Sequence, residues 1–183
     1  SNRYRCAIIA PMIGQSKIPA ILTAGFVALM SLALTASPAR AVDVSDAEFK
    51  RGMSAYDSGA FGKAAQIWGR LAENGSANAQ SGLGLLYYTG SGVPLDYARA
   101  RKLFVAAAKR NVPQAQMFLS FMYRYGEGVR QSYILSYMWC DLAVSAGHPS
   151  AIYVCQNIAE YINGDEVLQA QRLASEWRQH NFR

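Results

Sequence analysis

Tyr87-Tyr88-Thr89-Gly90-Ser91-Gly92-Val93 returns 36 positions later as Tyr123-Arg124-Tyr125-Gly126-Glu127-Gly128-Val129. The match extends to both sides. Ala79 falls on Ala115 and then on Ala151, Leu83 on Leu119, and Pro113 on Pro149. A period of this length marks stacked supersecondary units, none of which can bury its apolar face without a neighbour. Such stacks build an extended surface suited to holding another protein.

Two helices per unit account for the pattern. Ala77 to Tyr88 carries Ala79, Leu83 and Tyr87 at the spacing of one helix face. The run Thr89 to Pro94 stops it, because glycine tolerates a left-handed backbone and proline cannot continue a helix. Asp96 caps a second helix, Tyr97 to Arg110, with the inner stripe Ala100, Phe104, Ala107 and Ala108. The next unit repeats the plan with helices over Ala115 to Tyr125 and Gln131 to Ala146. A shorter unit precedes them. There the box Ser45-Asp46-Ala47-Glu48 predicts a helix start, Trp68 aligns with Phe104, and Tyr56 aligns with Tyr87 across a loop shorter by five. After Gly147, a helix over Pro149 to Tyr161 is expected. A closing helix, Gly164 to Gln179, follows, capped by Asn163 and Glu166 and bearing the polar outer face that an end cap needs. The expected organisation is a short unit at 45–75, repeats at 76–111 and 112–147, and capping helices at 148–179. The fold class is an all-α, right-handed solenoid of antiparallel helix pairs.

Residues 1–41 read as an export signal. Arg3, Arg5 and Lys17 are positive, no acid occurs before Asp43, Ile18 to Leu34 is apolar, and Ala39-Arg40-Ala41 forms an A-x-A cleavage site. The segment is also long enough to span a bilayer, so a retained anchor, and with it a membrane-bound scaffold, is the competing reading. Cleavage would remove four of the 18 basic residues and none of the 12 acids, lowering the net charge from +6 to +2. The basic balance is therefore mostly a property of the leader. Arg99, Arg101, Lys102, Lys109 and Arg110 are scattered like a solvated helix face, without the basic stripe and stacking aromatics of a nucleic-acid interface. The expected compartment is the periplasm.

The motif Tyr-x-x-Gly-x-Gly-Val, followed by a capping acid, an alanine-rich helix with one aromatic and an Ala-Ala pair, resembles the Sel-1-like repeat, a relative of the tetratricopeptide repeat. Ala79, Leu83, Gly84, Tyr87, Gly90, Gly92, Val93, Asp96, Ala100, Ala107 and Ala108 fit it closely. So do Ala115, Leu119, Tyr123, Gly126, Gly128, Val129, Trp139 and Ala143, while Ser132 stands where an Asp is expected. The resemblance covers residues 45 to 179 and implies an adaptor. Family members scaffold signalling and envelope complexes, some as exported regulators of sensor kinases. It carries no catalytic residues with it.

The residues offer little chemistry of their own. Gly82-Leu83-Gly84 lacks the third glycine and the preceding strand of a nucleotide loop. The two histidines, His148 and His180, have no nucleophile and orienting acid beside them. Cys140, Cys155 and His148 lack the close paired spacing of a zinc site. The two cysteines lie nearly equidistant from the turn at Gly147-His148, on helices expected to run antiparallel. They either pair, closing a loop of about 15 residues worth on the order of 3 kcal/mol, or are two small buried apolar residues. For partner binding the candidates are Phe118, Phe121, Met122 and Tyr125, an adaptable aromatic and methionine stripe beyond the repeat's own core positions. Packing between helices is the alternative use of the same stripe. Gln80, Tyr88, Gln116 and Arg124 recur at matching positions and are candidates for polar contacts on the concave side. The expectation is a non-catalytic adaptor without cofactor or metal. It would hold a protein partner, such as a sensor-kinase domain or an envelope-assembly component, rather than a small molecule or nucleic acid. The competing class is an enzyme acting on peptidoglycan or a β-lactam.

Overall fold

The computed structural model describes residues 38–182, with side chains from residue 45. All but the last four residues of the export-signal reading lie outside the described residues. Within them are eight helices and no strand: α1 (Pro38–Asp57), α2 (Phe61–Glu73), α3 (Ala77–Thr89), α4 (Tyr97–Ala108), α5 (Pro113–Tyr125), α6 (Tyr133–Ser145), α7 (Ala151–Ala159) and α8 (Gly164–Asn181). Each of the first seven packs on its neighbour in sequence. The result is an α-solenoid in which α1/α2, α3/α4 and α5/α6 are the stacked pairs.

Local chemistry sets the helix starts. Side-chain oxygens of Ser76, Asp96 and Ser132 accept from the backbone N–H three residues on, so Ser132 performs the task of the expected Asp. Asn163 and Glu166 form a reciprocal capping box at α8. The paired-glycine loop does two jobs. Gly90 and Gly126 end α3 and α5 in the left-handed conformation. Gly92 (φ +70°) and Gly128 (φ +68°) press against the first turn of the preceding outer helix. A Cβ on Gly92 would lie 2.5 Å from the Gly62 nitrogen and the Phe61 carbonyl carbon, and one on Gly128 would lie 2.6 Å from Tyr97 Cβ. Phe61 and Tyr97 are themselves 36 positions apart. The loop therefore stitches each unit onto the one before.

The core is built from aromatics of the outer helices seated against small residues of the inner ones. Phe104 lies against Gly84, and Trp68 lies between Gly52 and Gly82. In the next unit Ser120 and Ser136 occupy this crossing, each hydroxyl donating to the other's carbonyl at 2.8 Å and leaving neither unsatisfied. Gly52 thus corresponds to Gly84, and Tyr56, packed on Trp68, corresponds to Tyr88, packed on Phe104. This corrects the expected alignment of Tyr56 with Tyr87: the first unit's loop is shorter by four positions, not five.

Two element boundaries also differ from expectation. α1 begins at Pro38, so Ser45 lies inside a helix and opens none; proline is pre-set for a first turn, and Ala39-Arg40-Ala41 are strong helix formers. α7 is shorter than Pro149 to Tyr161, because Pro149 and Ser150 are spent on the turn after left-handed Gly147. The last helix, α8, packs on α6 rather than forming a hairpin with α7. The Trp139 and Trp177 rings meet edge to face at 4.7 Å, Ala170 and Ala174 are fully buried, and Arg178 pairs with Asp141 at 3.2 Å.

Candidate functional site

A helix exposes one stripe at a spacing of three and four residues. On α3 that stripe is Asn78, Gly82, Leu85 and Thr89, and the repeat carries it to Gln114, Phe118, Phe121 and Tyr125 on α5. The corrected register carries it to Asp46, Lys50, Met53 and Asp57 on α1. These three helices share one face of the solenoid. Along it runs an apolar hollow of about 290 Å³, walled by Phe49, Met53, Tyr56, Leu85 and Val112 and floored by Gly82 and Trp68, with Asp57, Asn78 and Gln114 also lining it. Met53 remains 45% exposed and Leu85 half-buried. Other hollows, of about 360 to 640 Å³, are larger, two of them in the notches beside Gly92 and Gly128, but all have more polar walls.

One substitution within the repeat explains why the hollow sits where it does. At α5 the stripe carries Phe118, whose ring stacks on Phe104 with centroids 5.0 Å apart and meets Phe121 edge to face at 6.1 Å. At the equivalent point α3 has Gly82, which leaves room for the Trp68 indole beneath and nothing above it. The face is therefore hollow between α1 and α3 and ridged with aromatics along α5.

The expected site residues separate accordingly. Phe118, Phe121 and Tyr125 lie on the stripe, with Tyr125 61% exposed. Met122 does not. It is fully buried at the position equivalent to Leu86, and its distance of one residue from Phe121 turns it into the core. Gln116 is also fully buried, donating from Nε2 to Asn111 Oδ1 at 3.2 Å, so it presents nothing to a partner. Gln80 is half-buried and reaches back to the Ala72 carbonyl at 3.4 Å. Arg124 lies over the rings of Tyr125 and Tyr161, at 5.6 and 5.7 Å. Tyr88 donates from its hydroxyl to the Glu127 carboxylate, which Tyr97 also approaches. Burial, then the hydrogen bond to Glu127, pushes the Tyr88 phenol well above its ordinary range. These four polar residues serve the seams between helices, where the recurrence arises from packing.

Cys140 and Cys155 are joined in a disulfide with Cα atoms 5.7 Å apart, tying α7 to α6; of the two alternatives, pairing is the one present. His148 lies beside Gln114, with its Nε2 3.1 Å from Oε1, and burial lowers its pKa. Among the described residues no cluster of three or more His, Cys, Asp or Glu side chains could hold a metal ion, and no helix is long and apolar enough to cross a membrane.

The family of Sel1 repeats matches residues 77–112 and 113–148. Over 84 residues the chain is 30% identical to the ERAD-associated E3 ubiquitin-protein ligase component HRD3B of Arabidopsis thaliana, covering 46% of this chain and 14% of that protein. Over 89 residues it is 41% identical to Protein sel-1 homolog 2 of Rattus norvegicus, covering 48% of this chain and 13% of that one. The matched region is thus a small part of each relative. Among solved structures, a Sel1 repeat protein from Oxalobacter formigenes superposes with a TM-score of 0.59 at 26% identity, covering 77% of this chain and 59% of that one. A protective antigen of uropathogenic Escherichia coli displaying an SLR fold superposes with a TM-score of 0.70 at 21% identity, covering 78% and 32%, a likeness of fold alone.

Proposed function

Because the chain is a Sel1-like repeat protein, we propose that it acts without catalysis in the bacterial periplasm, holding a protein partner on the face formed by α1, α3 and α5. The observation that carries this reading is the hollow beside Gly82. Its walls are apolar side chains with no charged group but Asp57, the character of a slot for an anchor residue of a guest polypeptide. The aromatic ridge of Phe118, Phe121 and Tyr125 extends the same face with adaptable apolar surface. Export is supported by the basic start, apolar core and A-x-A end of residues 1–41. A guest recognised on this face would insert an aliphatic or aromatic side chain between Met53 and Leu85 and lie along α5.

The test places a photo-crosslinking residue at position 85 and, as control, at exposed Lys102 on the opposite side of the α3/α4 pair. A discrete protein adduct is expected only at position 85 in periplasmic material, and Met53→Glu abolishes it. Labelling that is equal at both positions, or turnover of peptidoglycan fragments or a β-lactam by the purified chain, would overturn the docking reading. An N-terminus at Val42 in the recovered protein is the expected mark of export.

A further inference from the structure

The repeat itself shows how α7 differs from the inner helix before it. Ala115, Leu119 and Met122 of α5 correspond to Ala151, Cys155 and Ile158 of α7, and all six are buried. Three further positions break the correspondence. Gln116, Met117 and Ser120 are at most 2% exposed, whereas their counterparts Ile152 and Tyr153 are 55% and 70% exposed and Gln156 is exposed. In α5 this face is covered by α6: Met117 packs on Ala143, and Ser120 bonds Ser136. In α7 the helix due to cover it is α8, which is instead committed to α6. Among the described residues, α7 is therefore an inner helix without an outer partner.

We propose that this face is closed by a second copy of the chain, α7 against α7 about a two-fold axis. Three observations favour that occupant. Among the side chains described on α1, Met53 is the only large apolar one that stays exposed, and it faces the groove, so those side chains supply no apolar patch for head-to-tail stacking. Ile152, Tyr153 and Gln156 carry no charge, and a two-fold contact brings each residue near its own copy, where like charges would repel. Gln156, at the position where Ser120 crosses α6, is both donor and acceptor, so it can pair reciprocally with Gln156 of the partner subunit. The contact is small, a helix of nine residues on each side, which makes it a concentration-dependent association.

Sedimentation of the purified chain over a range reaching about 100 µM is expected to show a monomer–dimer equilibrium. Gln156→Glu, which sets two carboxylates on the axis, and Tyr153→Arg are each expected to weaken it at least tenfold. Thermal unfolding of the dilute monomer should be unchanged, since both side chains are exposed there. Met53→Glu in the groove should leave the dimer intact, which separates this surface from the proposed partner site. A chain that stays monomeric throughout, or a dimer indifferent to both α7 substitutions, would overturn the proposal.

Discussion

Gly92→Ala is expected to unfold the solenoid more easily than any other glycine-to-alanine change in the turns. Two costs combine. An alanine held at φ +70° carries about 1–2 kcal/mol of backbone strain. Its Cβ would also lie 2.5 Å from backbone atoms of Phe61 and Gly62, and backbone at the start of α2 cannot swing aside as a side-chain tip can. Overpacking of this kind costs about 1–3 kcal/mol more. Gly75→Ala provides the control, because Gly75 has φ +84° but nothing within 4 Å of a built Cβ, so only the first cost applies. Urea unfolding monitored by circular dichroism should therefore give a loss of about 2–5 kcal/mol for Gly92→Ala and about 1–2 kcal/mol for Gly75→Ala, with unchanged slopes. Gly128→Ala, against Tyr97, should follow Gly92→Ala. Equal losses at positions 75 and 92 would mean that the loop does not clamp one unit to the previous one, and the second glycine of the motif would be a turn residue and nothing more.

Three further outcomes follow from the geometry. Met53→Glu should abolish partner capture while shifting unfolding by no more than about 0.5 kcal/mol, since the side chain is 45% exposed; a large stability loss would place Met53 in the core instead. Thiol titration of the denatured chain should reveal two additional reactive groups only after reduction, and replacing Cys140 and Cys155 together by Ala should cost about 3 kcal/mol for the 15-residue loop. The raised pKa of Tyr88 means that the folded state keeps its proton after the unfolded chain releases it. The corresponding stability is intact below about pH 10 and lost as the pH rises above it. Urea midpoints between about pH 8 and 11 should fall more steeply for the parent chain than for Tyr88→Phe, and parallel curves would count against Tyr88 as the group whose proton the fold holds.

The helix pairs were legible because they rest on short-range chemistry. Capping by Asp96, the proline at Pro113 and the left-handed stops at Gly90 and Gly126 all act within one or two turns, and each was readable from residue type. The site was legible only in part. The aromatic density of α5 drew attention to Phe118, Phe121 and Tyr125, but Met122 and Gln116 differ from them by a rotation of about 100° per residue, which composition does not register. Tracing the α3 stripe back to α1 would have found Met53 and Leu85 directly. That step needs the corrected register, because the alignment of Tyr56 with Tyr87 puts Ser54 where Met53 belongs. The decisive feature, Gly82, reads as a packing glycine until the Trp68 ring is seen beneath it, and a vacancy above a glycine leaves no residue in the sequence to notice.

The turn-back of α8 shows why a repeat read from sequence does not predict its own end. On α4 the outward positions are Lys102, Leu103 and Ala106, none of them buried; the corresponding residues of α6 are Met138, Trp139 and Leu142, each at most 7% exposed. Three large apolar groups on an outer face need a cover, and burying them stabilises the fold by about 1.5–3 kcal/mol apiece. α8 supplies that cover with Ala170, Ala174 and Trp177. A hairpin with α7 would have left Trp139 in water, and α7 offers in return a face whose centre is the polar Gln156. The larger apolar gain lies on α6, so the chain folds back there. Among the described residues this leaves a face of α7 uncovered, and the disulfide from Cys140 to Cys155 adds a covalent tie to the packing of Ala151 and Ile158 against α6. On this argument, Trp139→Arg should release α8 from α6 and speed amide exchange throughout Gly164–Asn181 while leaving α3 and α4 protected. Exchange that stays slow in α8 would show that the alanine seam, rather than the tryptophan pair, governs where the stack stops.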